Sequence, residues 1–470
     1  MNNLVFMTGF ILGKLRRVFF MSYPETKKDY KNSRICYTVA DSASQTIVQL
    51  AGSTFLVALM EDLQISDGNM GIIASLGSFA ALTQIISIKL SKRIVKNKLF
   101  SCVTVLQKLW FAFMYFIPLM NMKLKSAQLL MMFCYCFAQI CLQVSTPAIV
   151  DWVASLVPAR LRGRYYAIKD AVAVLVVVVS TLVMGIVFDA LKVNHLYPAF
   201  IILGVSIAVL TLLNTVGLAM MKEPKLSNVN AQGKEVVGTL VKKYAVSTEK
   251  AKDVKLFEEI KIALQTKKFR QLLCVSLLWN TAFYIAGPFN SSFQVIDLKL
   301  PYTYIMIVSF IANMIRIAFT PKAGKLADKI GMAEVLGGAM ASMGLHFLLT
   351  AFSNPGNAYF MTILSTFASA FGWIFIGIGM LGLQLECLSE EKRIIQYALL
   401  TMISGVYGFF VSVLGGKFVD FIQLKQAVNG GGGVYAQFYT NLLGFFFIIV
   451  TVTYLLLTFG RKAKRKSLAK

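Results

Sequence analysis

The stretch from Leu50 to Ser66 decides the fold, because a related stretch occurs later in the chain. It begins LAGSTF and ends EDLQIS, and 235 positions later the chain reads IAGPF and then IDLKLP, between Ile285 and Pro301. Other matches keep the same order, including Asp189 with Asp420 at an offset of 231. Matches in one order at nearly one offset, in a chain of 470 residues, indicate two related halves.

The composition is that of a membrane protein. Hydrophobic residues make up 57% of the chain, charged residues only 15%, and the mean hydropathy is +0.67. The apolar residues fall in blocks of about 20, which as helices cross ~30 Å of hydrocarbon. A helix satisfies its own backbone hydrogen bonds in lipid. We therefore predict twelve helical spans, named span one to span twelve, at 36–60, 70–90, 99–120, 127–149, 165–191, 198–221, 271–297, 303–320, 334–352, 359–386, 397–420 and 438–460.

The predicted fold is an all-α membrane protein of twelve transmembrane helices in two pseudo-symmetric six-helix halves. A polar stretch separates the halves, and part of it has the pattern of a surface amphipathic helix. The expected N-terminal segment, 1–35, is cytoplasmic and precedes the N-terminal six-helix half, 36–221. A cytoplasmic central loop, 222–270, then leads into the C-terminal six-helix half, 271–460, and a basic cytoplasmic tail, 461–470.

The basic residues predict the orientation. Most of the 47 Lys and Arg residues fall in the segments that are cytoplasmic when both termini are inside, as the positive-inside rule requires. We therefore expect a multi-pass protein of the cell membrane with both termini in the cytoplasm. The net charge of +25 is then a topology signal rather than a nucleic-acid surface. The expected partners are the lipid bilayer and a small-molecule solute, and the protein is expected to be a monomer.

Several classes of chemistry find no support in the sequence. The chain has 2 His and 7 scattered Cys residues, so no metal constellation is expected. It has no phosphate-binding loop and no Ser/His/Asp arrangement, so neither direct ATP coupling nor an enzyme is expected. No cofactor is predicted. A membrane chain with two related halves points instead to a transporter.

Two loops resemble those of a known family. The segment GKLADKIG, from Gly324 to Gly331, resembles the short loop motif of the major facilitator superfamily. The segment VPARLRGRYYAIKDA, which contains Arg162 and Arg164, is similar to that superfamily's Arg-Gly-Arg segment. The resemblance covers the whole chain and implies a secondary transporter that works by alternating access. It also implies that spans one, four, seven and ten line a central cavity.

The first-half loop departs from the motif, because Lys92 stands where the motif has Asp. The resemblance implies that Asp328 of the second loop faces the start of span five, with Arg162 and Arg164. It likewise places Lys92 opposite Glu391, so the departure is interpreted as a charge swap. The Gly-Pro signature of drug antiporters is absent from span five. A multidrug carrier of the same superfamily nevertheless remains an alternative.

Span one carries a polar stripe at every fourth position, namely Asp41, Gln45, Gln49 and Ser53. The repeat aligns Gln45 with Asn280 and Gln49 with Tyr284, and these four are expected to lie together. An amide in hydrocarbon is costly unless it faces a partner or water. The candidate solute-binding residues are Gln45, Gln49, Gln139, Gln143, Trp279, Asn280, Tyr284, Asn290, Trp373 and Gln384. The alternative is that these side chains only join helices.

Amides, hydroxyls and aromatic rings suit a neutral polar solute, and a sugar is favoured. A peptide fragment, a nucleoside or an amphipathic drug would also fit. Asp41 heads the polar stripe and is the candidate for coupling to a proton, with sodium as the other coupling ion. A sensor or assembly protein that kept a transporter fold without transport remains an alternative from another class.

Three further charges lie inside predicted spans. Lys108 of span three is expected to extend toward an interface, because long basic side chains do so in membranes. Asp170 and Arg316 lie in different halves at the same depth, ~7 Å from the cytoplasmic ends of their spans. We expect them to pair when the inner side is closed. The alternative is a local pair of Asp170 with Arg164 or Lys169.

Overall fold

The computed structural model describes residues 31–84, 98–157, 162–192, 196–221, 228–229, 235–236, 256–388, 393–428 and 434–460. Apart from two antiparallel strands of two residues each, Asn228–Val229 and Glu235–Val236, its regular structure is helical. The amphipathic helix expected in the central loop is present as Leu256–Gln265.

In the N-terminal half, span one is broken. Its two helices, Lys31–Leu50 and Ser53–Asp62, are bent by 40° at Ala51 and Gly52. Ser53 has a positive φ of 53°, a conformation that costs energy for a residue with a Cβ. The remaining helices of this half are Asp67–Ala80, extended by the 3-10 turn Ala81–Thr83, then Lys98–Met114, Leu124–Leu156, Arg162–Lys192 and Tyr197–Met220.

In the C-terminal half, span seven is Lys267–Ala286, and it continues through a 3-10 turn and one short helical turn into the π-helical turn Phe293–Asp297. The irregular backbone follows Pro288, which lacks an amide hydrogen. The other helices are Tyr302–Ile330, Met332–Ala351, Ala358–Cys387, Arg393–Val428 and Ala436–Phe459.

Each predicted span contains a helix. Among the described residues, nine helices are long and apolar enough to cross a membrane, and the bent pair of span one makes a tenth. Phe100–Met114 of span three is apolar but shorter. The fold is therefore that of a multi-pass helical membrane protein, consistent with twelve spans.

The packing of the helices repeats from one half to the other. Span one packs on spans five and six, and span seven packs on spans eleven and twelve. Span three packs on spans four and six, and span nine packs on spans ten and twelve. The prediction of two pseudo-symmetric halves is therefore confirmed. The most extensive contacts between the halves are those of span five with span eight and of span eleven with span two.

An aromatic cluster joins the halves near one membrane surface. Phe188 of span five lies 5.2 Å from Phe55 of span one and 5.4 Å from Tyr302 of span eight, measured between ring centroids. All three side chains are about 1% exposed or less. We call the surface at which span one begins and span twelve ends the terminal side, and this cluster lies toward the opposite side.

Candidate functional site

Two polar cavities lie between helices of the two halves. The first cavity, of about 280 Å³, is enclosed by spans one, five, seven, eight and ten. Gln45, Gln49 and Ser53 line it from span one, and Gln294 and Asn313 line it from the other half. Four of these five side chains carry an amide, so the cavity can both donate and accept hydrogen bonds.

The second cavity, of about 370 Å³, lies among spans two, four, seven, ten and eleven. It contains five of the predicted solute-binding residues, namely Gln143, Trp279, Asn280, Tyr284 and Gln384. Ser276, Thr401 and Ser404 add hydroxyl groups to its wall. This cavity therefore combines amides, hydroxyls and aromatic rings.

The structure separates residues that the repeat was expected to bring together. Gln45 and Gln49 line the first cavity, whereas Asn280 and Tyr284 line the second. A pseudo-two-fold relation carries one half onto the other, so equivalent positions lie on opposite flanks of the molecule. The two pairs therefore line different cavities, and the contact of all four side chains with one solute stays a prediction.

Several amides also connect helices. Gln143 of span four accepts a hydrogen bond from Gln84 at 2.7 Å and donates one to the carbonyl oxygen of Gly77 at 3.1 Å, both in span two. Asn280 donates to the carbonyl oxygen of Ser404 at 3.2 Å. The same side chains thus line a cavity and also connect helices.

Three predicted residues do not line either cavity. Asn290 is buried and accepts a hydrogen bond from Asn441 of span twelve at 3.0 Å. Gln139 is 9% exposed and packs beside Gly77. Trp373 lies behind the second cavity, edge-on to Trp279 at a centroid distance of 6.2 Å. These side chains support the walls.

Tyr284 forms a contact across the halves. Its hydroxyl is hydrogen-bonded to the hydroxyl of Ser78 in span two. The Tyr284 ring packs on Gly408 of span eleven, where an added Cβ would meet the ring. The wall of the second cavity therefore includes a hydrogen bond that is made between the two halves.

A set of charges lies one turn from the first cavity, toward the terminal side. The Lys169 ammonium is 2.6 Å from Oδ2 of Asp41 and 2.7 Å from Oδ1 of Asp170. Asp41 also accepts hydrogen bonds from Gln45 Nε2 at 2.7 Å and from the Tyr37 hydroxyl at 3.2 Å. Gln45 is thus the direct link between this carboxylate and the cavity.

Sequence reasoning identified Asp41 and missed the importance of Lys169. Lys169 entered only as a local partner of Asp170, because nothing in the sequence indicates that spans one and five are in contact. The Lys169 side chain is 8% exposed and that of Asp41 15%, whereas that of Asp170 is 60% exposed. One ammonium therefore joins a half-buried carboxylate to an accessible one.

Lys108 contradicts its prediction. The side chain was expected to extend toward an interface, yet it is 1% exposed inside the N-terminal half. Its ammonium donates to the carbonyl oxygen of Thr104 at 3.4 Å. No carboxylate forms an ion pair with it in the described part of the chain. The cause is helix packing, because span three lies against spans four and six along its length.

The structure places Asp170 in its local pair with Lys169. Arg316 is exposed and lies three residues from Asn313, on the face of span eight that lines the first cavity. Asp170 lies four residues from Val174, on the equivalent face of span five. The pairing of Asp170 with Arg316 on closure of the terminal side stays a prediction.

The loop-motif residues are described only in part. Gly324 and Asp328 belong to the helix Tyr302–Ile330, and Arg162 and Arg164 begin the helix of span five. The side chains of Asp328, Arg162 and Arg164 lie outside the described part of the structure, as do Lys92 and Glu391 altogether. Gly331 has a φ of 109°, which residues with a Cβ rarely adopt, so the turn into span nine needs glycine.

Two carboxylates connect the halves on the opposite side. Asp189 of span five accepts hydrogen bonds from the amides of Tyr302 at 2.9 Å and Thr303 at 2.6 Å, where span eight begins. Asp420 of span eleven accepts from the amide of Gly68 at 3.1 Å, where span two begins. Sequence reasoning used this pair only as a match between repeats. The structure shows that each carboxylate caps a helix of the other half.

The helices are closest where glycines meet. An added Cβ on Gly68 would meet the carbonyl oxygen of Gly416, so spans two and eleven are in backbone contact. Asp67, beside this crossing, accepts a hydrogen bond from Gln423 at 2.5 Å. Burial raises the pKa of the Asp67 carboxyl, the Gln423 hydrogen bond lowers it, and the charge of Asp420 raises it. The halves are therefore closed on the opposite side.

Among the described residues, no group of three or more His, Cys, Asp or Glu side chains could hold a metal ion. The charges near the first cavity are arranged as ion pairs instead. The cavities offer hydrogen-bonding groups to a polar molecule, and a half-buried carboxylate lies one helical turn from the first of them.

Solved structures with the same fold are transporters. A mutant form of the nucleoside transporter NupG is 12% identical, with a TM-score of 0.67, and the match covers 91% of this chain and 100% of that one. The D-xylose-proton symporter is 14% identical, with a TM-score of 0.61, covering 90% and 96%. A POT family transporter in complex with a thioalcohol-conjugated peptide is 13% identical, with a TM-score of 0.58, covering 93% and 97%.

At these identities the likeness shows the fold alone. A search of curated proteins found no match. The family model described as Major Facilitator Superfamily matches residues 40–412, which is most of the chain and extends over parts of both halves. The chain therefore belongs to the major facilitator superfamily.

Proposed function

We propose that this transporter moves a small, neutral, polar solute across the membrane by alternating access, with a sugar-like molecule as the favoured substrate. The observation that carries the proposal is the lining of the two cavities. Amides, hydroxyls and aromatic rings line them, and no charged side chain of the described residues does. A charged solute would have to leave water without a counter-charge on the walls, which is costly.

The second cavity has the chemistry for a hydroxylated ring. Amides such as Gln143 and Asn280 can donate and accept hydrogen bonds, and the Trp279 indole provides an apolar surface. Two of the similar structures are a nucleoside transporter and a D-xylose-proton symporter. A polar, hydroxylated solute for this chain is our proposal, and it depends on the lining of the cavities.

We propose further that transport is coupled to a proton at Asp41. In support, this half-buried carboxylate lies one helical turn from Gln45, which lines the first cavity, and is hydrogen-bonded to Gln45. Protonation of Asp41 would change the hydrogen-bonding partner that this side chain presents to Gln45. The proposed location is the cell membrane with the terminal side in the cytoplasm, because the basic residues are concentrated there.

A thermal-shift screen of the purified protein tests the solute class. A ligand that binds the folded state raises the apparent stability by mass action. We expect neutral sugars or nucleosides to raise the melting temperature, and amino acids and cationic drugs to leave it unchanged. Stabilisation by cationic drugs alone would overturn the proposal in favour of a multidrug carrier.

Flux in proteoliposomes then separates a carrier from a sensor. The stabilising solute should be taken up by proteoliposomes, and faster with an inward-directed proton gradient. A Gln49→Ala variant should lose uptake, whereas Asn354→Ala, on the opposite surface and away from both cavities, should retain it. Binding without flux in the unmodified protein would favour a sensor with a transporter fold.

A further inference from the structure

The pseudo-symmetry of the two halves is broken by charge. At the offset of the repeat, Asp41 aligns with Ser276, and Arg316 aligns with Ala81. At the offset of spans five and eleven, Lys169 and Asp170 align with Leu400 and Thr401. These four neutral equivalents line the second cavity. The flank of the first cavity thus carries four charges where the other flank carries none.

Lys169 lies at the centre of that charged set. Its ammonium contacts Asp41 at 2.6 Å and Asp170 at 2.7 Å. Asp170 and Arg316 continue the cavity-lining faces of spans five and eight toward the terminal side, as their spacing from Val174 and Asn313 shows. Arg316 belongs to the other half, so attraction between it and the set would draw the halves together.

We propose that Lys169 sets the charge of this cluster so that protonation of Asp41 controls closure of the terminal side. With Asp41 ionised, the charges of Asp41, Lys169 and Asp170 sum to about −1, which attracts Arg316. When a proton from water binds a carboxylate oxygen of Asp41, the sum becomes about zero and the attraction is lost. No other covalent bond and no other charge changes in this step. The inference rests on the proposed proton coupling at Asp41.

The neighbours of Asp41 do not cancel the change in charge that its protonation causes. Tyr37 and Gln45 of its own helix are neutral, as is Tyr165 from span five. Asn214 from span six donates to the carbonyl oxygen of Ala40 and is also neutral. Lys108 from span three acts on Asp41 through space only. A charge on Lys108 would alter both sums equally, so protonation of Asp41 still makes the cluster less attractive to Arg316.

Lys169 is a positioning residue in this scheme, because it acts on Asp170 through its charge. Without it, the two carboxylates would sum to about −2 before and −1 after protonation, and Arg316 would be attracted in both cases. Substitution of Lys169 by methionine should therefore hold the terminal side closed at every pH. Asp41→Asn should have the reverse effect, because it fixes the sum at about zero.

Closure of the terminal side can be followed without any solute, as a change in the distance between the two halves. Two nitroxide labels are placed at Val150 and Ile330, exposed residues toward the terminal ends of spans four and eight, after replacement of the 7 native cysteines. Pulsed electron paramagnetic resonance gives their separation at about pH 4, near the ordinary pKa of an aspartate of about 3.9, and at about pH 8, well above it. The expected separation is longer at the lower pH.

The variants decide the outcome. Lys169→Met should show the short separation at both pH values, Asp41→Asn the long one, and Lys169→Arg the behaviour of the unmodified chain. Lys322→Met is the matched control, since Lys322 is an exposed lysine of span eight whose ammonium lies over Phe319. A Lys169→Met chain that keeps the full pH response would overturn the proposal.

An unmodified chain with no pH response would overturn it as well, and would leave transport of a neutral solute untouched. Failure of every sugar in the thermal-shift screen would reject the proposed solute, while a pH response that depends on Lys169 would still support this inference.

Discussion

Asp189 and Asp420 occupy equivalent places in the two halves, and each accepts backbone hydrogen bonds at the start of a helix in the other half. Asp189 binds the first two amides of span eight, and Asp420 binds the Gly68 amide near the start of span two. A helix start carries unpaired amides and a partial positive charge, so a carboxylate there is stabilising. The pseudo-symmetry of the fold thus closes the opposite side with two equivalent contacts.

Neutralising either carboxylate should favour opening of the opposite side. An anion at a helix start is worth about 1 kcal/mol, so Asp189→Asn or Asp420→Asn should shift the equilibrium about fivefold, and the double variant further. The measurement is the labelling rate of a cysteine placed at Ser53, in the first cavity, by an impermeant maleimide added from that side. Asp62→Asn, at the opposite-side end of span one, is the control. Unchanged labelling in both single variants would contradict the prediction.

Gln49→Ala and Asn280→Ala test the two cavities separately. Each removes a hydrogen-bonding group from a different cavity wall, so loss of a solute contact should weaken binding by about 1 kcal/mol or more. Binding is measured as the shift of melting temperature with solute concentration, and expression should stay normal. Asn290→Ala, behind the wall, serves as the control. Normal binding and transport in both cavity variants would mean that the amides only connect helices.

Asp41→Asn should uncouple transport from the proton gradient. The substitution keeps the shape of the side chain and removes the group that we propose takes up the proton. Accumulation driven by a pH gradient should be lost, whereas counterflow exchange, which moves no net proton, should continue. Both are measured with labelled solute in proteoliposomes. Uphill transport at the normal rate in this variant would reject Asp41 as the coupling residue.

Lys108→Met should leave the protein as stable or make it more stable. The buried ammonium donates to a single carbonyl at 3.4 Å, so the substitution removes a desolvated charge that has only one hydrogen bond to lose. The melting temperature of the purified variant is the measurement. A clear fall in melting temperature would contradict the prediction and show that the Lys108 ammonium is stabilising where it lies.

The charge swap in the terminal-side loops is tested by reversal. Lys92→Glu and Glu391→Lys should each reduce transport, and the double variant should recover more activity than either single change. An ion pair between solvent-exposed side chains is weak, so the effect is expected to be at most about 1 kcal/mol. Additive loss in the double variant would indicate that the first-half loop has simply lost the motif.

The sequence was sufficient for the architecture because membrane helices are specified locally. A run of about 20 apolar residues must form a helix in lipid wherever it lies in the fold. The helices of the structure accordingly start and end near the predicted spans, and the broken helix of span one is the main local departure. The repeat and the loop motifs then indicated two halves and the family.

The arrangement of the site was decided by tertiary structure. A helical period shows which face of span one is polar, and it carries no information on which helix packs against that face. Asp41 meets Lys169 from 128 positions away, and the buried position of Lys108 depends on spans four and six. The sequence by itself therefore determined the spans, the halves and the family. Only the packing of helices decided that equivalent residues line separate cavities, because a pseudo-two-fold relation puts them on opposite flanks.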